Sequence, residues 1–135
     1  MTLDETIDAF LETGPYAVVG ASKDRAKYGN KVLRCYLQHG LKAYPINPGS
    51  EEIEGQKAYP DLAALPEPVA RISVITPPGV TEQIVPEAAD AGIEFIWMQP
   101  GAESRKAVED AQDAGIAVVS GGPCLLVVLG YTERD

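Results

Sequence analysis

The 135 residues are 45% hydrophobic and carry 11 basic against 20 acidic side chains, a net charge of −9. That length suits a single domain over residues 1–135, which buries roughly two thirds of its unfolded surface without needing covalent staples. The acidic balance argues against nucleic acid, which demands a basic stripe over a whole face. Cys35 and Cys124 stand far apart with no C-x-x-C pair, and His39 is the only histidine, so neither a disulfide framework nor a zinc site is supported. The usage fits a reducing cytoplasm. No 18-residue apolar run occurs, and the amino terminus is acidic and amphipathic, so no membrane span or signal peptide is expected.

Thr2-Leu3-Asp4-Glu5 reads as a capping box, and Leu3, Ile7, Phe10 and Leu11 form an apolar stripe that ends before Gly14-Pro15. This predicts a leading helix within 1–13. Strands then follow near 16–19, 42–46, 71–75, 93–97 and 116–119, with helices near 29–39, 80–91 and 103–114 between most of them. Three helix exits share one signature, in His39-Gly40-Leu41, Ala91-Gly92-Ile93 and Ala114-Gly115-Ile116, where glycine takes the left-handed position that closes a helix. Segment 47–68 breaks the alternation with turn residues and an acidic run, and holds only a short helix near 61–64. The expected fold is α/β, a Rossmann-like doubly wound parallel sheet of about five strands in three layers.

The apolar run Tyr16-Ala17-Val18-Val19 breaks at Gly20-Ala21-Ser22 and leads through a basic stretch to Gly29. A strand that ends at small residues before a helix lets backbone N–H groups approach a phosphate, with the positive end of the helix dipole behind them. Lys23, Arg25, Lys27, Lys31 and Arg34 stand against one acid, Asp24, so positions 20–34 hold +4 and leave −13 on the rest. A positive island in an acidic chain points to a compact, highly anionic ligand; a merely solvated helix face is the plain alternative. The carboxyl ends of the strands carry Gly20-Ala21-Ser22, Asn47-Pro48-Gly49, Thr76-Pro77-Pro78-Gly79, Gln99-Pro100-Gly101 and Ser120-Gly121-Gly122-Pro123. In an open parallel sheet these five loops share one rim, where ligands bind.

Gly20 and Gly29 do not fit G-x-G-x-x-G, and the second strand ends Tyr44-Pro45-Ile46-Asn47-Pro48 with no carboxylate to grip a ribose, since Glu51 and Glu52 come too late. NAD is therefore disfavoured, and NADP finds no positive support.

Val19-Gly20-Ala21-Ser22, Gly29, Tyr44 to Pro48, Gly55-Gln56-Lys57-Ala58-Tyr59-Pro60-Asp61-Leu62, Ile96-Trp97-Met98-Gln99 and Cys124 together resemble the CoA-binding domain family. The likeness is to its small stand-alone bacterial members and, more distantly, to the amino-terminal domain of the succinyl-CoA synthetase α subunit, from about residue 14 to 125. It implies a Rossmann-like fold that binds coenzyme A or an acyl-CoA. Gly20, Ala21 and Ser22, with Lys23, Arg25, Lys27, Tyr28 and Gly29 at the helix start, would hold the phosphates. Asn47 and Pro48 would flank the nucleotide, and Thr76, Pro77 and Pro78 would line the adenine or pantetheine path. Met98 and Gln99 join the ligand contacts through the matching segment, although Trp97 and Met98 close an apolar strand that reads as core. Two departures bring the chain nearer the synthetase version: Thr76-Pro77-Pro78 replaces an Arg-rich stretch, and Gly121-Gly122-Pro123-Cys124 lacks a basic residue before the cysteine.

Ser22 suits either a phosphate contact or a turn cap, roles that can coexist. His39 suits the carboxyl end of a helix, and Cys124 reads as a buried thiol because no histidine stands beside it as a base. No catalytic and no metal-binding residue is assigned. The expected role is coenzyme A binding without catalysis, with a protein partner or homo-oligomer compatible. The alternatives are an NADP-dependent reductase and the nucleotide-binding subunit of a larger acyl-CoA ligase.

Overall fold

Tyr16–Val19 forms β1 and is buried at all four positions, as a strand covered on both faces must be. The computed structural model describes residues 1–133. Ahead of β1, helix α1 (Leu3–Leu11) starts at the expected capping box, in which Thr2 Oγ1 accepts from Glu5 N–H at 3.1 Å and Glu5 Oε1 from Thr2 N–H at 2.9 Å. Next come α2 (Tyr28–Gln38), β2 (Ala43–Ile46), and a hairpin of β3 (Glu52–Ile53) and β4 (Gln56–Lys57). A 3-10 turn at Leu62–Ala64 precedes β5 (Arg71–Val74), α3 (Pro78–Asp90), β6 (Phe95–Met98), α4 (Arg105–Asp113) and β7 (Ala117–Val119). Leu126–Gly130 closes the described chain as a π-helical turn.

The five main strands pair in the order β2-β1-β5-β6-β7, every pair parallel. Strand order reverses beside β1, where β2 leaves on one side and β5 on the other. Strand pleating sorts the core into two layers. Tyr16, Val18 and Trp97 point to the side of α1 and α2, among Phe10 and Tyr36; Ala17, Val19, Ile96 and Met98 face Val85, Ala88 and Ala107 of α3 and α4. The doubly wound, three-layer α/β expectation is met.

Segment 47–68 is richer than expected. The short helix near 61–64 is present as the 3-10 turn, with Asp61 Oδ1 accepting from Ala64 N–H at 3.0 Å. The hairpin was not legible, since two-residue strands show no alternation. Its turn places Glu54 at φ 51° and Gly55 at φ 76°, the doubly left-handed pair that a tight two-residue hairpin turn takes. An isolated parallel bridge from Ile46 to Tyr59 then lays the chain beside the end of β2, delivering Pro60 and Asp61 to the sheet's carboxyl edge.

Candidate functional site

The turn after β1 is built around two contacts that admit no side chain. Gly20 has φ 96°, and a Cβ there would lie 2.1 Å from the Ile75 carbonyl oxygen; a Cβ on Gly29 would lie 2.0 Å from the Gly20 carbonyl oxygen. The two glycines let α2 start directly against the end of β1 with β5 alongside, at the point where strand order reverses. A cleft of about 710 Å³ opens there, at the carboxyl ends of β1, β2 and β5. Of the residues expected at the site, Gly20, Ala21, Ser22, Lys27, Tyr28, Gly29, Asn47, Pro48, Thr76 and Pro77 all line it.

Two helices point their amino termini at this cleft. The N-cap residues of α2 and α3, Lys27 and Pro77, make no side-chain capping bond, and both line it. By contrast Thr2 and Ser104 cap α1 and α4 with their own hydroxyls, away from the cleft. The uncapped first turn of α2 offers backbone donors and partial positive charge to an anion. That of α3 opens on Pro77 and Pro78, which have no N–H, and its Val80 N–H already bonds the Pro77 carbonyl at 2.9 Å, so it adds the positive end of a helix dipole and few donors. Ser22 caps locally as well: its Oγ accepts from Asp24 N–H at 3.1 Å while the residue lines the cleft. Asn47 ties two rims together, its Nδ2 donating to the Ala21 carbonyl at 2.9 Å and its Oδ1 accepting from Gly49 N–H at 2.7 Å.

The positive island divides on folding. Lys27 alone of its five cations lines the cleft. Lys23 is exposed on the loop, and Arg25 pairs with Glu54 at 2.5 Å. Arg34 is buried: it donates to Asn30 Oδ1 at 2.6 Å and the Arg25 carbonyl at 2.7 Å, and lies over the Tyr131 ring. Lys31 sits 4.0 Å from Glu133. Asn30, wholly buried, donates to the Ser22 carbonyl at 2.8 Å and to Glu54 Oε2 at 3.1 Å. Arg25 and Arg34 therefore fasten the loop that shapes the cleft.

Lys23 and Arg25 thus do not reach the cleft lining, and Pro78, exposed at the start of α3, also lies outside it. Met98 and Gln99 likewise lie outside the cleft lining, and both are wholly buried. Met98 packs in the α3/α4 layer, as its apolar strand required. Gln99 Oε1 accepts from Tyr28 O–H at 2.9 Å and from Leu125 N–H at 2.9 Å, so its amide braces the back of the site. The Tyr28 hydroxyl lies 2.7 Å from Cys124 Sγ; with its proton given to Gln99, it accepts from the thiol. Burial, reinforced by the Cys124 contact, pushes the Tyr28 phenol far above its usual range.

The sequence reading missed the far end of the cleft. Asp61 and Leu62 arrive through the Ile46–Tyr59 bridge, while Val80, Ile84 and Glu87 share one face of α3 at helical spacing. That spacing was present in the sequence; the bridge was not. The rims after β6 and β7 do not line the cleft. Among the described residues no group of three or more His, Cys, Asp or Glu could hold a metal, and no helix is long and apolar enough to cross a membrane.

A parallel doubly wound sheet with a cleft at its switch point, faced by two uncapped helix termini, defines a nucleotide-type α/β binding domain. The chain belongs to the CoA binding domain family, whose model matches residues 15–130. It is similar to the acetate–CoA ligase (ADP-forming) II subunit alpha of Pyrococcus furiosus, with 32% identity over 91 residues, 67% of this chain and 20% of that one. Among solved structures it is similar to a hypothetical protein from Pyrococcus horikoshii OT3, at TM-score 0.87 and 28% identity over 94% of this chain and 89% of that one. A conserved hypothetical protein from Pyrococcus furiosus gives TM-score 0.78 and 42% identity over 84% of this chain and 97% of that one. The chain spans 20% of the first curated relative's length and 17% of the second's.

Proposed function

We propose that this chain binds coenzyme A or an acyl-CoA in the cleft between β1, β2 and β5, without catalysis of its own. The observation that carries the reading is the convergence of two uncapped helix termini and Lys27 on one cleft, in a chain of the CoA-binding family. Residues 20–22 and 27–29 would hold the diphosphate, with Thr76 and Pro77 beside the adenine or pantetheine path. Asn47 and Pro48 would flank the nucleotide, and the apolar walls of Leu62, Val80 and Ile84 would take the adenine. Family membership favours this reading over an NADP-dependent reductase. Similarity to a ligase alpha subunit supports the narrower reading that the domain serves a larger acyl-CoA ligase, in cytoplasmic metabolism.

Calorimetric titration with CoA and with NAD tests the assignment. CoA is expected to bind, and a ligand held only by the native state adds about 2.7 kcal/mol of stability at a hundredfold excess over its Kd. Equal or tighter binding of NAD overturns it. Lys27→Ala should weaken CoA binding by about 5–10-fold, the loss of one partly exposed charge-assisted contact, with the melting temperature of the free protein nearly unchanged. Incubation with acyl-CoA should release no thiol; turnover abolished by Cys124→Ala would mean that this thiol is a nucleophile after all.

A further inference from the structure

The charges lining the cleft are unevenly placed, and they do not suit every part of coenzyme A. Lys27 stands at the α2 end, beside Ser22 and Tyr28, whereas the end formed by the 3-10 turn and α3 carries two carboxylates, Asp61 and Glu87. The adjoining groove beyond Pro48 and Pro60 sets Glu51 and Glu52 against Lys57. A diphosphate at the helix termini therefore meets positive potential, while the nucleoside end beyond it is negative.

Asp61 is the residue that gives that end a specific chemistry. The Ile46–Tyr59 bridge brings it to the carboxyl end of β2, the place where a carboxylate in a doubly wound nucleotide site accepts from ribose hydroxyls. Capping the 3-10 turn uses one oxygen, Oδ1, on Ala64 N–H at 3.0 Å, and leaves the residue exposed to the cleft. A cap needs no charge, since asparagine and serine serve equally. We infer that Asp61 determines specificity at the ribose, accepting from a free hydroxyl and repelling a ribose phosphate, so that the cleft takes dephospho-CoA at least as well as CoA. This rests on the reading of the cleft as a site for an ADP-containing coenzyme.

The test is calorimetric titration of CoA and 3′-dephospho-CoA against the wild type, Asp61→Asn, Asp61→Ser and, as a control for overall charge, Asp8→Asn on α1. Both Asp61 variants keep the cap, and their melting temperatures verify the fold. Wild type should bind dephospho-CoA as tightly as CoA or tighter. Each Asp61 variant should move the ratio of the two affinities toward CoA by about fivefold at low salt, the scale of a screened like-charge contact, and by less at 0.5 M salt. Asp8→Asn should leave the ratio unmoved. CoA binding tenfold tighter than dephospho-CoA to the wild type, or a ratio that ignores Asp61, overturns the inference and leaves the coenzyme site standing. Failure of both coenzymes to bind defeats the coenzyme reading and this inference with it.

Discussion

Two glycines decide whether the cleft exists. With the Gly20 carbonyl oxygen 2.0 Å from where a Gly29 Cβ would stand, Gly29→Ala must drive α2 away from the end of β1, at a cost of about 3 kcal/mol or more by overpacking against backbone. Urea unfolding should show that loss, whereas Gly79→Ala, with open space around its Cβ, should lose far less. The sequence displayed both glycines as part of an interrupted strand-to-helix turn, and that much was legible because backbone crowding restricts the residue type directly. The fate of the cations was not. Charge is visible in a sequence, but its partner is set by contacts such as Arg25 with Glu54 and Lys31 with Glu133, which lie 29 and 102 positions apart. The island's net charge marked the loop that borders the cleft, yet of its cations Lys27 alone lines that cleft. Met98 and Gln99 were placed for a related reason: matching a family segment marks residues that matter, and in this structure Met98 packs in the core and Gln99 braces Tyr28 and Leu125.

At the scale of elements, the loop between β1 and α2 is held by side chains from α2 and from the hairpin. Asn30 on α2 donates to the Ser22 carbonyl and to Glu54 on the hairpin, and Arg34, one turn on, donates to Asn30 and to the Arg25 carbonyl. Glu54 itself stands at a left-handed backbone position that non-glycine residues seldom take, and its carboxylate is what spans hairpin and loop. Removing Asn30 leaves buried groups without their partners, so Asn30→Ala should cost about 1–3 kcal/mol of stability and weaken CoA through a loosened loop. Lys27→Ala differs in kind, because it should move affinity while leaving stability nearly untouched. A thermal melt and a titration on both variants separate the two roles. The hairpin and the Ile46–Tyr59 bridge escaped the sequence reading because elements this short are fixed by tertiary pairing, whereas the long helices announced themselves through apolar periodicity and glycine exits.

For the whole molecule, one side of the sheet contains a layer rich in titratable groups that must stay neutral. Cys35 is wholly buried, and burial pushes its thiol from the ordinary 9.0 up to about 11. Burial likewise raises the phenols of Tyr36, Tyr28 and Tyr16 above their ordinary 10.0. Each group keeps its proton longer folded than unfolded, so the unfolded chain loses protons first as pH rises. Their contribution is full below the unfolded values and is lost progressively once pH passes 9, where Cys35 begins to ionise in the unfolded state, and then 10, where the tyrosines follow. Melting temperature measured from pH 7 to 11 should therefore hold to about pH 9 and fall with increasing slope beyond it. Cys35→Ala should be less stable at neutral pH, through the small void it leaves beneath Leu125, yet show its alkaline decline beginning nearer pH 10. A variant profile that stays parallel to the wild type through that interval would show that the thiol is not what makes the fold sensitive there.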